Sequence, residues 1–236
     1  MTKEFTSALH GEWIKIRTLR SLLGTLCAVL LATVLFAAFA DDGPVDHDAL
    51  FSVFFGVSFG QIAAVAFGVT AVAAEFQGGA LRVSLAAVPH RGRWFAAKLT
   101  AIALPMLAVG LVTGLVTWAV GSAVLQEPST VEGLRGAAGC AVYLTLMALL
   151  AAGLTAFLRS GVAALSILIP FLLSVSFVVG DMSGNAADFL PDRAGQVALH
   201  STWDGTLGPW TGLAATALWT ATALAAGAWR LRHRDA

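Results

Sequence analysis

Apolar residues run through this chain in long blocks that charged residues do not interrupt, and the polar residues collect in the stretches between them. Six blocks, at about residues 21–40, 50–74, 99–125, 137–158, 161–180 and 210–229, each approach or exceed twenty residues. At about 1.5 Å per helical residue, twenty residues cross the roughly 30 Å hydrocarbon layer of a bilayer. The pattern predicts an all-α polytopic membrane protein, one transmembrane domain over residues 1–236 with six spanning helices. Ahead of the first block, Phe5, Leu9, Trp13, Ile16 and Arg20 recur three or four residues apart, a helical stripe that Gly11 and Glu12 interrupt. Residues 1–20 are expected to lie as a helix in the membrane interface, marked by Trp13, Ile16 and Arg17.

The blocks carry their own packing signals. Gly56 and Gly60 in the second, and Gly110 and Gly114 in the third, have the small-x-x-x-small spacing that lets two helices approach closely. Pro105 is expected to kink the third. Only Arg159 and Ser160 separate the fourth and fifth blocks, so those two helices are expected to be antiparallel neighbours. The segment from Asp181 to Pro209 holds Phe189, Leu190, Val197, Leu199 and Trp203, more apolar surface than a solvated loop needs, and suggests a hairpin dipping back into the membrane.

Composition agrees with the pattern: 58% of the 236 residues are hydrophobic and 12% charged, with a mean hydropathy of +0.81, far from a soluble domain's usual charge of about 25%. The net charge of zero hides an asymmetry. Of the 14 Lys and Arg residues, all but Arg135 and Arg193 lie in the N-terminal flank, the 75–98 segment, the Arg159 turn or the C-terminal tail, while most acids lie in the other loops. The positive-inside rule then places both termini and the 75–98 segment in the cytosol, at the cell membrane. Ala38-Phe39-Ala40 before Asp41 is similar to a signal-peptidase site, but the apolar run is longer than a leader's about 7–15 residues and is expected to stay as a span.

Candidate chemistry is sparse. Cys27 and Cys140 sit inside apolar blocks and read as small buried hydrophobes. Asp41, Asp42, Asp46 and Asp48 form an acidic outer loop without the glycine and terminal glutamate of a calcium loop, so a solvated loop is expected, and no metal or other cofactor. Gly56-Val57-Ser58-Phe59-Gly60 matches the serine-hydrolase pattern G-x-S-x-G, yet no block holds a histidine to activate Ser58, and an enzyme is not expected. No Asp, Glu, Lys, Arg or His falls within the six blocks as drawn, which argues against a proton relay or ion pump. No G-x-x-x-x-G-K-[ST] phosphate loop occurs either. Uphill work would need another polypeptide to supply the energy.

The segment between the second and third blocks offers such a partner a handle. Gly78 and Gly79 allow a break, Ala80 to Val88 can make two helical turns, and Pro89 ends them. Glu75 at the membrane boundary is placed to pair with Arg82 or a neighbouring base.

Glu12-Trp13-Ile14-Lys15-Ile16-Arg17, a span, an outer loop, and a second span ending in Glu75-x-x-x-Gly79-Ala80-Leu81-Arg82, followed by Leu85, Pro89, Arg91 and Lys98, resemble the membrane subunits of type-2 ABC exporters. The likeness extends through the Leu158-Arg159-Ser160 turn and Leu190-Pro191, and lies in order and topology more than in any one motif. It departs at Ala80, where a threonine is frequent. The resemblance implies a coupling helix between spans two and three that docks into a separate cytosolic ATP-binding-cassette subunit, and a second membrane subunit, identical or different. It implies Glu75, Gly79, Arg82, Pro89, Arg91 and Lys98 as transmission elements. An uncharged interior suits an apolar or amphipathic cargo; nucleic acid is not expected as a partner. The alternative is a non-transporting membrane scaffold, or an immunity protein that sequesters a toxic peptide.

Overall fold

A computed structural model describes residues 2–39, 48–78, 80–87, 90–125, 129–175, 184–202 and 205–233. The described chain is helical: α1 (Thr2–Thr18), α2 (Arg20–Ala37), α3 (Ala49–Phe54), α4 (Val57–Ala73), α5 (Ala80–Ala87), α6 (Arg91–Leu125), α7 (Thr130–Leu158), α8 (Gly161–Pro170), α9 (Pro191–Gln196) and α10 (Pro209–His233). Short 3₁₀ turns cover Ala74–Phe76, Gly184–Phe189 and Val197–Leu199, and a π turn at Phe171–Val175 continues α8.

Helix α7 is the axis of the bundle, packed against α4, α6 and α10 along its length. Its start is fixed by a capping box, in which Glu132 N donates to Ser129 Oγ and Ser129 N donates to Glu132 Oε2. Its end is fixed by Arg159 in the left-handed region, φ 58°. Ser160 then caps α8 by accepting from Ala163 N at 3.2 Å, so α8 turns back against α7 and α4. Tyr143, Leu144 and Met147 of α7 are fully enclosed.

Glycine sets how closely its neighbours approach. A Cβ on Gly68 of α4 would strike the Ala148 carbonyl, and one on Gly153 would come within 2.7 Å of the Ala223 backbone on α10. The two pairs flagged in the sequence make similar contacts within the chain. Gly56 and Gly60 lie against Thr33 of α2, and Gly110 and Gly114 face Ala141 and Ala137 of α7, at 3.0 and 2.7 Å from their Cα atoms to a Cβ built at each glycine.

Four stretches among the described residues are long and apolar enough to cross a membrane: Arg20–Ala37, Val57–Phe76, Arg91–Leu125 and Thr130–Leu158. The chain is a multi-pass α-helical membrane protein. Gly161–Ser174 is apolar but shorter, and positions 176–180 of the expected fifth span lie outside the described residues. Helix α10 is 25 residues long but less apolar.

Several expected boundaries move. The second block is two helices, Ala49–Phe54, whose start Asp48 caps by accepting from Phe51 N at 3.1 Å, and Val57–Ala73, with Phe55 and Gly56 between them. The third helix begins at Arg91 rather than Leu99 and runs 35 residues, about 52 Å. Pro105 sits inside it. The fourth begins at Thr130, set by its capping box. The segment after residue 183 packs as short helical turns on α7 and α10: Trp219 Nε1 donates to Phe189 O at 2.9 Å and Thr216 Oγ1 to Pro191 O at 2.8 Å.

Candidate functional site

Extending the third helix back to Arg91 carries Lys98 into the bundle, where it meets two carboxylates. Lys98 Nζ donates to Glu75 Oε1 at 2.7 Å and to Glu12 Oε2 at 2.6 Å. Lys15 Nζ donates to the same Glu75 Oε1 at 2.6 Å and to Glu12 Oε1 at 2.9 Å, closing a ring of two ammonium and two carboxylate groups. The remaining oxygen, Glu75 Oε2, accepts from Ser84 Oγ at 2.9 Å. All four carboxylate oxygens are thus satisfied, which burial demands.

Glu12, Glu75 and Lys98 are 5%, 2% and 3% exposed; Lys15 is the member that reaches solvent. Burial works against the Lys15 ammonium, but its hydrogen bonds to Glu75 and Glu12 outweigh that and hold its pKa above the ordinary lysine value. Beside the ring lies a cavity of about 20 Å³ lined by Ile16, Leu22 and Ile102 among others, room for one water.

The ring joins four elements distant in sequence. Glu12 and Lys15 come from α1, Glu75 from the 3₁₀ turn closing α4, Ser84 from α5 and Lys98 from α6. Leu19 alone links α1 to α2, and α1 packs on α6. Gly78, at φ +59°, turns the chain from α4 into α5. Helix α5 buries Leu81 on this side and leaves Arg82 and Val83 exposed on the other. Such an assembly ties α1, α4 and α6 together, since separating them strands a buried charge, and α5 joins them through the Ser84 hydroxyl.

Of the residues the sequence singled out, Glu75 and Lys98 are therefore in direct contact. Glu75 pairs with Lys98 and Lys15, partners 23 and 60 residues away. Arg91 is elsewhere, its Nη1 donating to Leu231 O at the end of α10 at 2.7 Å. Gly79 and Pro89 lie outside the described residues. On α1, Ile16 is buried, but Trp13 is 37% exposed and Arg17 is exposed. The inward face is turned from the sequence stripe so that Glu12 lies beside Ile16. Blocks empty of titratable groups hold only as they were drawn: the helices run further, and their ends bring Glu75 and Lys98 inside. Glu12 and Lys15 stand in the Glu12 to Arg17 motif without an assigned role, and Ser84 was not singled out. Glu12 reads there as a flaw in an apolar stripe, although its i, i+3 spacing to Lys15 was a signal.

The opposite end of the bundle carries a second polar arrangement. Asp48 accepts from Ser201 N at 3.0 Å and Ser201 Oγ at 2.7 Å and pairs with His200 Nδ1 at 3.0 Å, fastening the start of α3 to the segment before α10. Asp48 is thus a clamp rather than part of a solvated loop. Burial pushes its carboxyl up, but the bonds from His200, Ser201 and Phe51 outweigh this and hold it well below the usual carboxylate range. Nearby, Tyr143 Oη donates to Gln61 Oε1, and Ser58 Oγ donates to Gln196 Oε1 at 3.3 Å, so the serine of the G-x-S-x-G pattern is bonded to an amide. Ser58, Gln61 and Gln196 border an open cavity of about 630 Å³, with Phe51, Phe55 and Phe59 in its lining and Asp188, Asp192 and Arg193 among its polar groups. Among the described residues, no group of three or more His, Cys, Asp or Glu side chains is arranged to hold a metal.

Comparison with protein-family models finds none that matches this chain, and comparison with curated proteins finds no match either.

Proposed function

We propose that this chain is the membrane-spanning subunit of an ATP-binding-cassette exporter, with six spans, cytosolic termini, and a separate ATPase docked on α5. The observation that carries the reading is the Ser84 to Glu75 hydrogen bond. It ties a short helix with an exposed outer face to a buried charge ring that spans three other helices. Force applied to the Arg82 and Val83 face of α5 would reach α1, α4 and α6 through rigid, short contacts, which is what a lever between a motor and a membrane path requires. The basic residues around α5 support its placement in the cytosol. Glu75, Arg82, Arg91 and Lys98, together with Gly79 and Pro89, are the proposed transmission elements, and Glu12, Lys15 and Ser84 join them.

In this reading two membrane subunits face one another, and nucleotide-driven closure of two ATPase subunits tilts the ring assemblies and opens a path between them. The aromatic and polar lining of the outer cavity suits an amphipathic cargo. The test is co-reconstitution in lipid vesicles with a cassette ATPase, reading ATP hydrolysis and export of an amphipathic dye. Stimulated hydrolysis that is abolished by Arg82→Glu with Val83→Asp, in protein that still inserts and melts normally, is the expected result. Normal stimulation by that variant removes α5 as the docking site. Solute accumulation from a proton gradient without nucleotide or a second polypeptide overturns the reading.

A further inference from the structure

A groove of about 340 Å³ runs between α7, α8 and α10, and its wall is almost wholly carbon: Leu154, Phe157, Ile167, Trp219, Ala223 and Ala226 set its shape. Its one hydroxyl, on Thr222, is spent on Leu218 O at 2.8 Å. The groove extends from Trp219 to Ala226, seven residues or about 10 Å along the helix, giving a mean cross-section of about 30 Å². Open along one side, a furrow of that section seats one polymethylene chain, whereas a helix, about 10–12 Å across with its side chains, could only lie over it.

One turn beyond Ala226 stands Arg230. Its guanidinium carbon lies 5.1 Å from the Phe157 ring that closes the groove, and its Nε is buried with no hydrogen-bond partner among the described residues. Arg159, capping α7, stands at the same end of the bundle. From Trp219 to Arg230 is eleven residues, about 16 Å, close to the roughly 15 Å depth of one leaflet. Groove and Arg230 together therefore span about the depth of one leaflet, with the carbon wall at chain depth and the cation at the depth of the headgroups.

We propose that this groove holds an acyl chain of an anionic phospholipid whose phosphate is bound by Arg230. The inference rests on the membrane-spanning character of the chain and is independent of the exporter reading. Arg230 alone gives the site its preference for an anionic headgroup, and the carbon wall gives it affinity for the chain whatever the headgroup.

The test uses the full chain in detergent micelles, titrated with phosphatidylglycerol or phosphatidylcholine of identical chains and read by native mass spectrometry of retained lipid. Phosphatidylglycerol is expected to bind about fivefold more tightly, the effect of one cation near a headgroup surface. Arg230→Gln should bring the two lipids to equal affinity, Arg230→Lys should keep most of the preference, and Ala226→Phe should weaken both lipids alike. Equal affinities in the unaltered protein, a preference that survives Arg230→Gln, or Ala226→Phe without effect on either lipid would each overturn the proposal. So would dimers of Ile167→Cys joined by a disulfide under a mild oxidant, which would show the groove covered by a second copy.

Discussion

Lys98 Nζ and Glu75 Oε1 lie 2.7 Å apart, with both side chains enclosed. Neither charge has water to fall back on, so the loss of one leaves the enclosed ring with an unbalanced charge. Lys98→Met or Glu75→Gln alone is expected to destabilise the protein by about 3–5 kcal/mol. Combining them should cost less than the sum, because the pair that remains, Glu12 with Lys15, is still neutral. Thermal unfolding in detergent across the double-mutant cycle measures this, and strictly additive losses would show that the two groups are not coupled.

Ser84 holds α5 to the ring by one hydrogen bond to a carboxylate, a contact worth about 1.5–3 kcal/mol. Ser84→Ala is expected to speed amide hydrogen exchange in α5 while leaving α6 and α7 protected. Unchanged exchange in α5 would mean that Leu81 and its neighbours alone keep the helix in place.

Glycines of different surroundings should respond with opposite sign. A Cβ on Gly68 would meet backbone of Ala148, whereas one on Gly24 meets nothing within 4 Å. Gly68→Ala is expected to cost about 1–3 kcal/mol by forcing α4 away from α7. Gly24→Ala should stabilise α2 by up to about 1 kcal/mol through helix propensity. Equal unfolding midpoints for the two variants would contradict the packing described for α4 and α7.

The Asp48 clamp should be acid-sensitive in a defined direction. Its folded pKa lies below its ordinary value of 3.8, so the folded state favours the carboxylate and binds fewer protons than the unfolded chain. The clamp's contribution is therefore complete above about pH 4, and it declines as the pH falls below that value. Comparing melting of the protein and of Asp48→Ala between pH 7 and pH 3 should show the gap, about 1–3 kcal/mol at neutrality, closing toward low pH. A gap that is constant or widens would assign the stabilisation to something other than the charge.

The all-α class and the presence of spanning helices were legible because uninterrupted apolar length is a signal that survives without tertiary information. The short helix α5 was legible for a local reason too: Gly78 marks a turn and Ala80 a new helix. What sequence could not show was where each helix begins within a run of mixed residues. A third start at Leu99 leaves Lys98 outside, and the two missing turns of α6, from Arg91, concealed the ring. Glu12 was hidden differently, since an acid on an apolar stripe signals a defect until its partner, 86 residues on, is known. Asp48 looked like one of four similar acids, and only the fold distinguishes the one that caps α3. Arg230 read as orientation charge, and nothing in its neighbourhood along the chain announces the groove above it.

The ring contains two positive and two negative groups. Shifting it as a body along the membrane normal therefore transports no net charge through the electric field, whereas a single unpaired charge would contribute about 2.3 kcal/mol per 100 mV. A junction built this way can be pushed or pulled equally well in an energised or a depolarised cell. In the exporter reading, a pull on α5 by its partner is therefore neither helped nor hindered by the membrane voltage at this junction.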